Sequence, residues 1–148
     1  MSETTQPLRD HHKHCDDLFA AAEEAAQQAQ WAKCNERFMN FRRAIESHFS
    51  AEETILFPAF EEESGMTDGP TEVMRSEHAQ MRGLMEQMAQ AVAAQDSNGF
   101  CGTGETLLVL MQQHNFKEEN ILYPMCDHHL SALDEDIGDR LRTVLVSA

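Results

Sequence analysis

The chain has 148 residues, 41% of them hydrophobic and 25% charged, ordinary values for a soluble globular protein that set aside a disordered or membrane-embedded one. The 11 basic against 26 acidic residues give a formal charge of −15, which repels phosphate backbones and anionic lipid, so neither nucleic acid nor a membrane is an expected partner. No stretch approaches the roughly 18 apolar residues of a membrane span, and Met1 to Asp10 lack the apolar core of a secretory signal, so a cytoplasmic location is expected.

Apolar residues recur at helical spacing from Leu8 to about Gln30, through Cys15, Phe19, Ala22, Ala26 and Ala29, which predicts a first amphipathic helix. A second pattern runs through Phe38, Phe41, Ile45, Phe49, Ile55 and Leu56 and stops near Ser64-Gly65 and Gly69-Pro70, both turn signals. The third starts after Pro70, a good first-turn residue, carries Val73, Met74, Met81, Leu84, Met85 and Met88, and is expected to end before Asp96-Ser97-Asn98-Gly99. The fourth is read from about Glu105 through Leu108, Met111 and Phe116 to Tyr123, and a short segment from Ile137 to Val146 closes the chain. With no alternating strand pattern to compete, the fold class is all-α. The expected architecture is an antiparallel up-down four-helix bundle over about 8–127 with a short extra C-terminal helix over about 131–146, all in one domain.

An internal repeat carries the functional reading. HFSAEETILFP from His48 lies over HNFKEENILYP from His114, sharing the His, the Glu-Glu, the Ile-Leu and the Pro, with Phe57 over Tyr123 a near match. The offset is 66 positions (114 − 48), and it also places Arg9 on Arg75, Leu18 on Leu84 and His12 on His78. The chain therefore reads as two helical hairpins, each supplying a lone histidine and then HxxxE. Residues four apart share a helix face, so His48 with Glu52, and His114 with Glu118, can point together into the bundle axis, joined by His12 and His78.

Imidazole suits iron, copper, zinc and nickel, while carboxylate adds a hard oxygen donor that can span two ions. A single HxxxE is weak evidence in a chain this rich in acidic residues; the repeated context is the specific part. Six buried polar groups would each cost roughly 1–3 kcal/mol if left unpaired, and a shared metal cluster removes that difficulty.

At these residues the sequence resembles the hemerythrin-like, or HHE cation-binding, family, over Leu8 to about Asp127. The resemblance implies a four-helix bundle with a non-haem di-iron centre, two iron ions with an oxo or hydroxo bridge. His12, His48, His78 and His114 would be its nitrogen ligands and Glu52 and Glu118 its carboxylate bridges. Members bind dioxygen or nitric oxide, sense oxygen or iron, or help repair damaged iron centres. Oxygen carriers have a second histidine one turn after the third-helix ligand and HxxxxD on the fourth helix. Here Arg82 and Glu118 stand in those places, so carriage is not expected. Two six-coordinate irons take twelve bonds; the six side chains and a solvent-derived bridge leave about two positions free.

The expected function is a di-iron protein that senses or handles dioxygen, nitric oxide or peroxide, with any protein partner unspecified. The alternative is an enzyme or repair factor that decomposes peroxide, reduces nitric oxide or donates iron to damaged centres. A helical module without metal is the third reading. Around the site, His11 and His14 rival His12 but are read as solvated surface, and Glu53 and Glu119 as outer or surface carboxylates. Pro58 and Pro124 are expected to kink or end their helices. Asp16 and Arg82, equivalent in the repeat, are paired as a surface ion pair or as a restriction on access. Cys15, Cys34, Cys101 and Cys126 show no CxxC spacing and are read as reduced thiols, the methionines as core filling, and His128 and His129 as exposed.

Overall fold

A computed structural model describes residues 4–146, and all regular elements in it are helical. The long helices are α1 (Gln6–Gln27), α2 (Trp31–Ala51), α4 (Pro70–Ala93) and α5 (Ser97–Lys117). Helix α2 runs through a π-helical turn (Glu52–Leu56) into α3 (Phe57–Ser64), and α5 through a second one (Glu118–Leu122) into α6 (Tyr123–His129). After a 3₁₀ turn (Ser131–Leu133), α7 (Asp134–Val146) packs its buried Ile137, Leu141 and Leu145 beside the α1–α2 hairpin. No helix among the described residues is long and apolar enough to cross a membrane.

Helices α1 and α2 form one antiparallel hairpin and α4 and α5 the other, and these are the closest packed pairs of the bundle. Their connections are copies of each other at the repeat offset. Ala29 and Gln95 both take the left-handed conformation, with φ 55° and 53°. Gln30 N–H bonds Ala25 C=O at 3.0 Å, as Asp96 N–H bonds Ala91 C=O at 2.9 Å, closing the wide six-residue bond of a Schellman-type helix end. The repeat thus extends from side chains to loop conformation.

Helix α5 begins eight residues before the expected Glu105. Asp96 caps its end, accepting a hydrogen bond from Gly99 N–H at 2.9 Å. A Cβ at position 99 would lie 2.2 Å from Asp96 Oδ2, so glycine is what lets the carboxylate close over the helix. Three glycines in this first stretch hid the helix from periodicity, and one has a packing reason: a Cβ at Gly104 would meet Phe19 at 3.4 Å and Met88 at 3.3 Å.

Neither Pro58 nor Pro124 ends its helix. Each is the second residue after a π-helical turn, where Phe57 N–H reaches back to Glu52 C=O and Tyr123 N–H to Glu118 C=O. A proline lacks the donor for the usual bond to the fourth residue before it and crowds that carbonyl. The widened turn precedes it in both copies.

The core comes in two apolar clusters. One gathers Cys15, Phe19, Phe38, Phe41, Ile45, Phe49, Met81, Met85, Met88, Phe100, Leu107 and Met111. The other gathers Leu8, Ile55, Leu56, Phe57, Phe60, Met74, Leu122, Tyr123, Cys126, Ile137 and Leu141. On each long helix the chain passes from one cluster to the other across a buried histidine: Leu8, His12, Phe19; Ile45, His48, Ile55; Met74, His78, Met81; Met111, His114, Leu122. A polar layer therefore crosses the bundle between two oily blocks. Phe116 and Val73, read as core from their spacing, are instead 65% and 49% exposed.

Replacing Asp96 by Ala should cost about 1 kcal/mol of unfolding free energy, the usual worth of an N-cap, read from the urea midpoint at unchanged slope.

Candidate metal centre

The polar layer brings together all six residues picked out by the repeat. His12, His48, Glu52, His78, His114 and Glu118 are each 5% exposed or less. Ligand atoms of Glu52, His78, His114 and Glu118 lie within 4.8 Å of one another, and so do those of His12, His48 and Glu118. Each carboxylate divides its oxygens between the two histidine pairs. Glu52 Oε1 lies 3.0 Å from His78 Nε2, while Glu52 Oε2 lies 3.6 Å from His48 Nε2. Glu118 Oε1 lies 3.1 Å from His12 Nε2, while Glu118 Oε2 lies 3.2 Å from His114 Nε2.

The inward Nε2 atoms are aimed by partners on the outward Nδ1 atoms. Glu53 Oε2 accepts from His78 Nδ1 at 2.7 Å, Glu119 Oε2 from His12 Nδ1 at 2.5 Å, and Glu77 Oε1 from His114 Nδ1 at 2.8 Å. Glu53 and Glu119 are thus outer partners of the imidazoles, as the sequence suggested. A hydrogen bond to one ring nitrogen fixes tautomer and ring orientation, leaving the other free for a cation.

The fourth partner corrects the sequence reading. His11 is half-buried, with its Nδ1 3.1 Å from His48 Nδ1 and the two rings stacked at 5.3 Å. Burial, followed by the positive field of His48, lowers the His11 pKa to about 4, so His11 is neutral and one of the two facing Nδ1 atoms donates to the other. His14 is exposed and touches only the His11 ring among these imidazoles. Glu77 escaped the sequence reading altogether. The repeat offset would have found it, because it maps position 11 onto position 77 and His48 onto His114.

The same symmetry runs further out. Arg9 lies over the Tyr123 ring at 5.4 Å and pairs with Asp127 at 3.7 Å; Arg75 lies over the Phe57 ring at 5.3 Å and pairs with Glu61 at 3.2 Å. Thr5 and Thr71 donate their hydroxyls to those same acids, at 3.0 and 2.6 Å. It fails at Asp16 and Arg82, which do not meet. Arg82 binds Glu46 at 3.0 Å and Glu53 at 2.9 and 3.1 Å, and so braces the carboxylate behind His78. It also lies over Phe49, which stacks on His78 at 3.9 Å. Asp16 is exposed on α1.

Tyr123, the single tyrosine of the chain, is fully buried in the centre. Its hydroxyl donates to Glu52 Oε2 at 2.6 Å. Burial, then the charges of Glu118 and Glu52, hold the phenol well above its usual range, so it is protonated here. Burial would likewise raise the Glu52 carboxyl, but the charge of His48 and its hydrogen bonds outweigh that and hold it well below the usual carboxylate range. For His114 burial is outweighed by Glu118 and Glu52, and the pKa rises to about 9.

Four buried atoms, Glu52 Oε1, His78 Nε2, His114 Nε2 and Glu118 Oε2, make no hydrogen bond of good geometry and meet only as two ion-pair contacts at 3.0 and 3.2 Å. With no proton between them, each such atom costs roughly 1–3 kcal/mol. A cation among them would satisfy all four, and the imidazole and carboxylate donors fit one chemically.

The remaining candidates are structural. Cys15, Cys34, Cys101 and Cys126 are free thiols, and burial pushes Cys15 up to about 12, which leaves it unreactive. Met74, Met81, Met85 and Met88 are buried in the core. His128 is exposed, while His129 is half-buried, edge-on to Phe60 at 5.4 Å.

A helical bundle that points four imidazoles and two carboxylates at one dry interior point defines a class of cation-binding protein. The Hemerythrin HHE cation binding domain matches residues 4–126, and the chain belongs to that family. No significant match was found among curated proteins or among solved structures.

In metal-free protein, Arg82→Ala should lower the unfolding free energy by about 1 kcal/mol, the worth of a half-exposed charged network. Asp16→Ala should change it by less than about 0.5 kcal/mol. Denaturant titration in chelator compares the two.

Proposed function

We propose that His12, His48, His78, His114, Glu52 and Glu118 hold two iron ions, bridged by the two carboxylates and a solvent-derived oxo or hydroxo group. Through that centre the protein would sense or handle dioxygen, nitric oxide or peroxide. The observation that carries the reading is the set of four buried donor atoms, of Glu52, His78, His114 and Glu118, that converge within 4.8 Å without a hydrogen bond of good geometry among them. Two ions rather than one are supported by the split of each carboxylate, one oxygen toward each histidine pair. Iron is favoured by the mixed nitrogen and carboxylate donor set. A pair of irons supplies electrons one at a time and a coordination position for a small molecule.

What the chain's own residues do can be stated separately. Glu53, Glu119, Glu77 and His11 orient the four imidazoles. The two apolar blocks exclude water. The near-zero exposure of the six residues admits a ligand of a few atoms and rejects a larger substrate, which supports a diatomic gas or peroxide. The four free thiols support a reducing, cytoplasmic setting.

Protein purified without added metal should carry two irons per chain, and its absorption should change when reduced protein meets dioxygen or nitric oxide. Chelation should cost about 2.7 kcal/mol of stability for metal present at a hundred times its Kd. Glu119→Ala should weaken iron binding roughly 10- to 100-fold by releasing His12. Unchanged melting after chelation would refute the reading, and sustained peroxide consumption would move it toward an enzyme.

A further inference from the structure

The six central residues match across the two halves, but the ring that packs against each first-helix histidine differs by one oxygen. Tyr123 Oη lies 2.6 Å from Glu52 Oε2, 3.0 Å from Glu118 Oε1, and 3.4 Å from both His12 Nε2 and His48 Nε2. Those four atoms are the donors that face one of the two proposed ions. Donors bound at about 2.0–2.2 Å and at right angles lie roughly 3 Å apart, and those opposite each other roughly 4 Å. The phenol oxygen keeps near right-angle spacing to all four at once, and His48 Nε2 stands 4.0 Å from Glu118 Oε1, the spacing of an opposed pair. A hydroxyl serving only as a donor needs a single acceptor at under about 3 Å. It can also accept, but the two imidazole contacts at 3.4 Å are at the long limit of a hydrogen bond, whereas donors on one shared ion take such spacings.

In the other half the equivalent residue is Phe57. Its ring stacks on His78 at 5.9 Å and 21°, as the Tyr123 ring stacks on His12 at 5.8 Å and 16°. The placement is the same and the oxygen is missing. The four atoms without a hydrogen bond all belong to this half.

Resting on the two-iron reading above, we propose that Tyr123 is a fifth protein donor to the ion held by His12 and His48. The position open to an outside ligand is then on the ion held by His78 and His114. On metal loading the phenol O–H bond breaks, its proton leaves to solvent, and the oxygen donates a lone pair to the metal with no transfer of electrons.

The test compares wild type, Tyr123→Phe and Phe57→Tyr, each loaded with ferric iron and checked for two irons per chain. Phenylalanine already occupies the matching place in the other half, so Tyr123→Phe should fold, and circular dichroism verifies it. Wild type should show a visible phenolate-to-iron charge-transfer band with resonance-enhanced tyrosine ring vibrations. Tyr123→Phe should keep both irons and lose both signals, and Phe57→Tyr should roughly double the band. Azide added to the ferric wild type should bind once per pair while the phenolate band persists. Two irons without tyrosinate vibrations, or azide that erases the band, would overturn the assignment of Tyr123 alone. A wild-type chain that holds no iron would overturn the two-iron reading as well.

Discussion

Everything in this structure answers to the cost of keeping charge in a dry interior. Four imidazoles and two carboxylates sit in a layer with oil on both sides, where an unpaired polar atom is penalised and an unpaired ion far more so. The chain meets that cost from outside and inside. Outside, each imidazole leans on a partner, three carboxylates and one imidazole. Inside, half of the layer is satisfied by the Tyr123 hydroxyl, and the other half is left to a cation.

Long-range order follows from repetition more than from any single contact. The loops at Ala29 and Gln95, the π-helical turns at Glu52 and Glu118, and the Arg9 and Arg75 clamps recur at one offset. Where equal elements flank the centre, equal forces act on it. The departures, Tyr123 for Phe57, His11 for Glu77 and Arg82 for Asp16, are the places where the two sides can acquire different chemistry.

The sequence revealed the six central residues because HxxxE occurs twice in matched context and a helix puts both members on one face. It hid the outer partners for a physical reason. Adjacent helix positions point about 100° apart, so periodicity assigns His11 to the surface, whereas the close packing of α1 on α2 carries it to His48. Glu77 is missed in the same way. The start of α5 was obscured by Gly99, Gly102 and Gly104, which lower helix propensity while serving a cap and a close approach to Phe19. Phe116 was misplaced because hydrophobicity alone does not say which side of a half-apolar helix faces its neighbours. The π-helical turns shift the phase of the apolar pattern by one residue, too small a change to recognise in a five-residue stretch.

The matched connections at Ala29 and Gln95 bear on ancestry. A hairpin of half this length, associating with a second copy of itself about a twofold axis, would assemble the same four imidazoles and two carboxylates. Such a self-paired ancestor could not place a tyrosine on one side and a phenylalanine on the other, because one gene would specify both. With both halves in one chain, joined through Gly65 to Gly69, each position of the pair is encoded separately. An unequal pair of positions is therefore available to this chain and not to a symmetric homodimer.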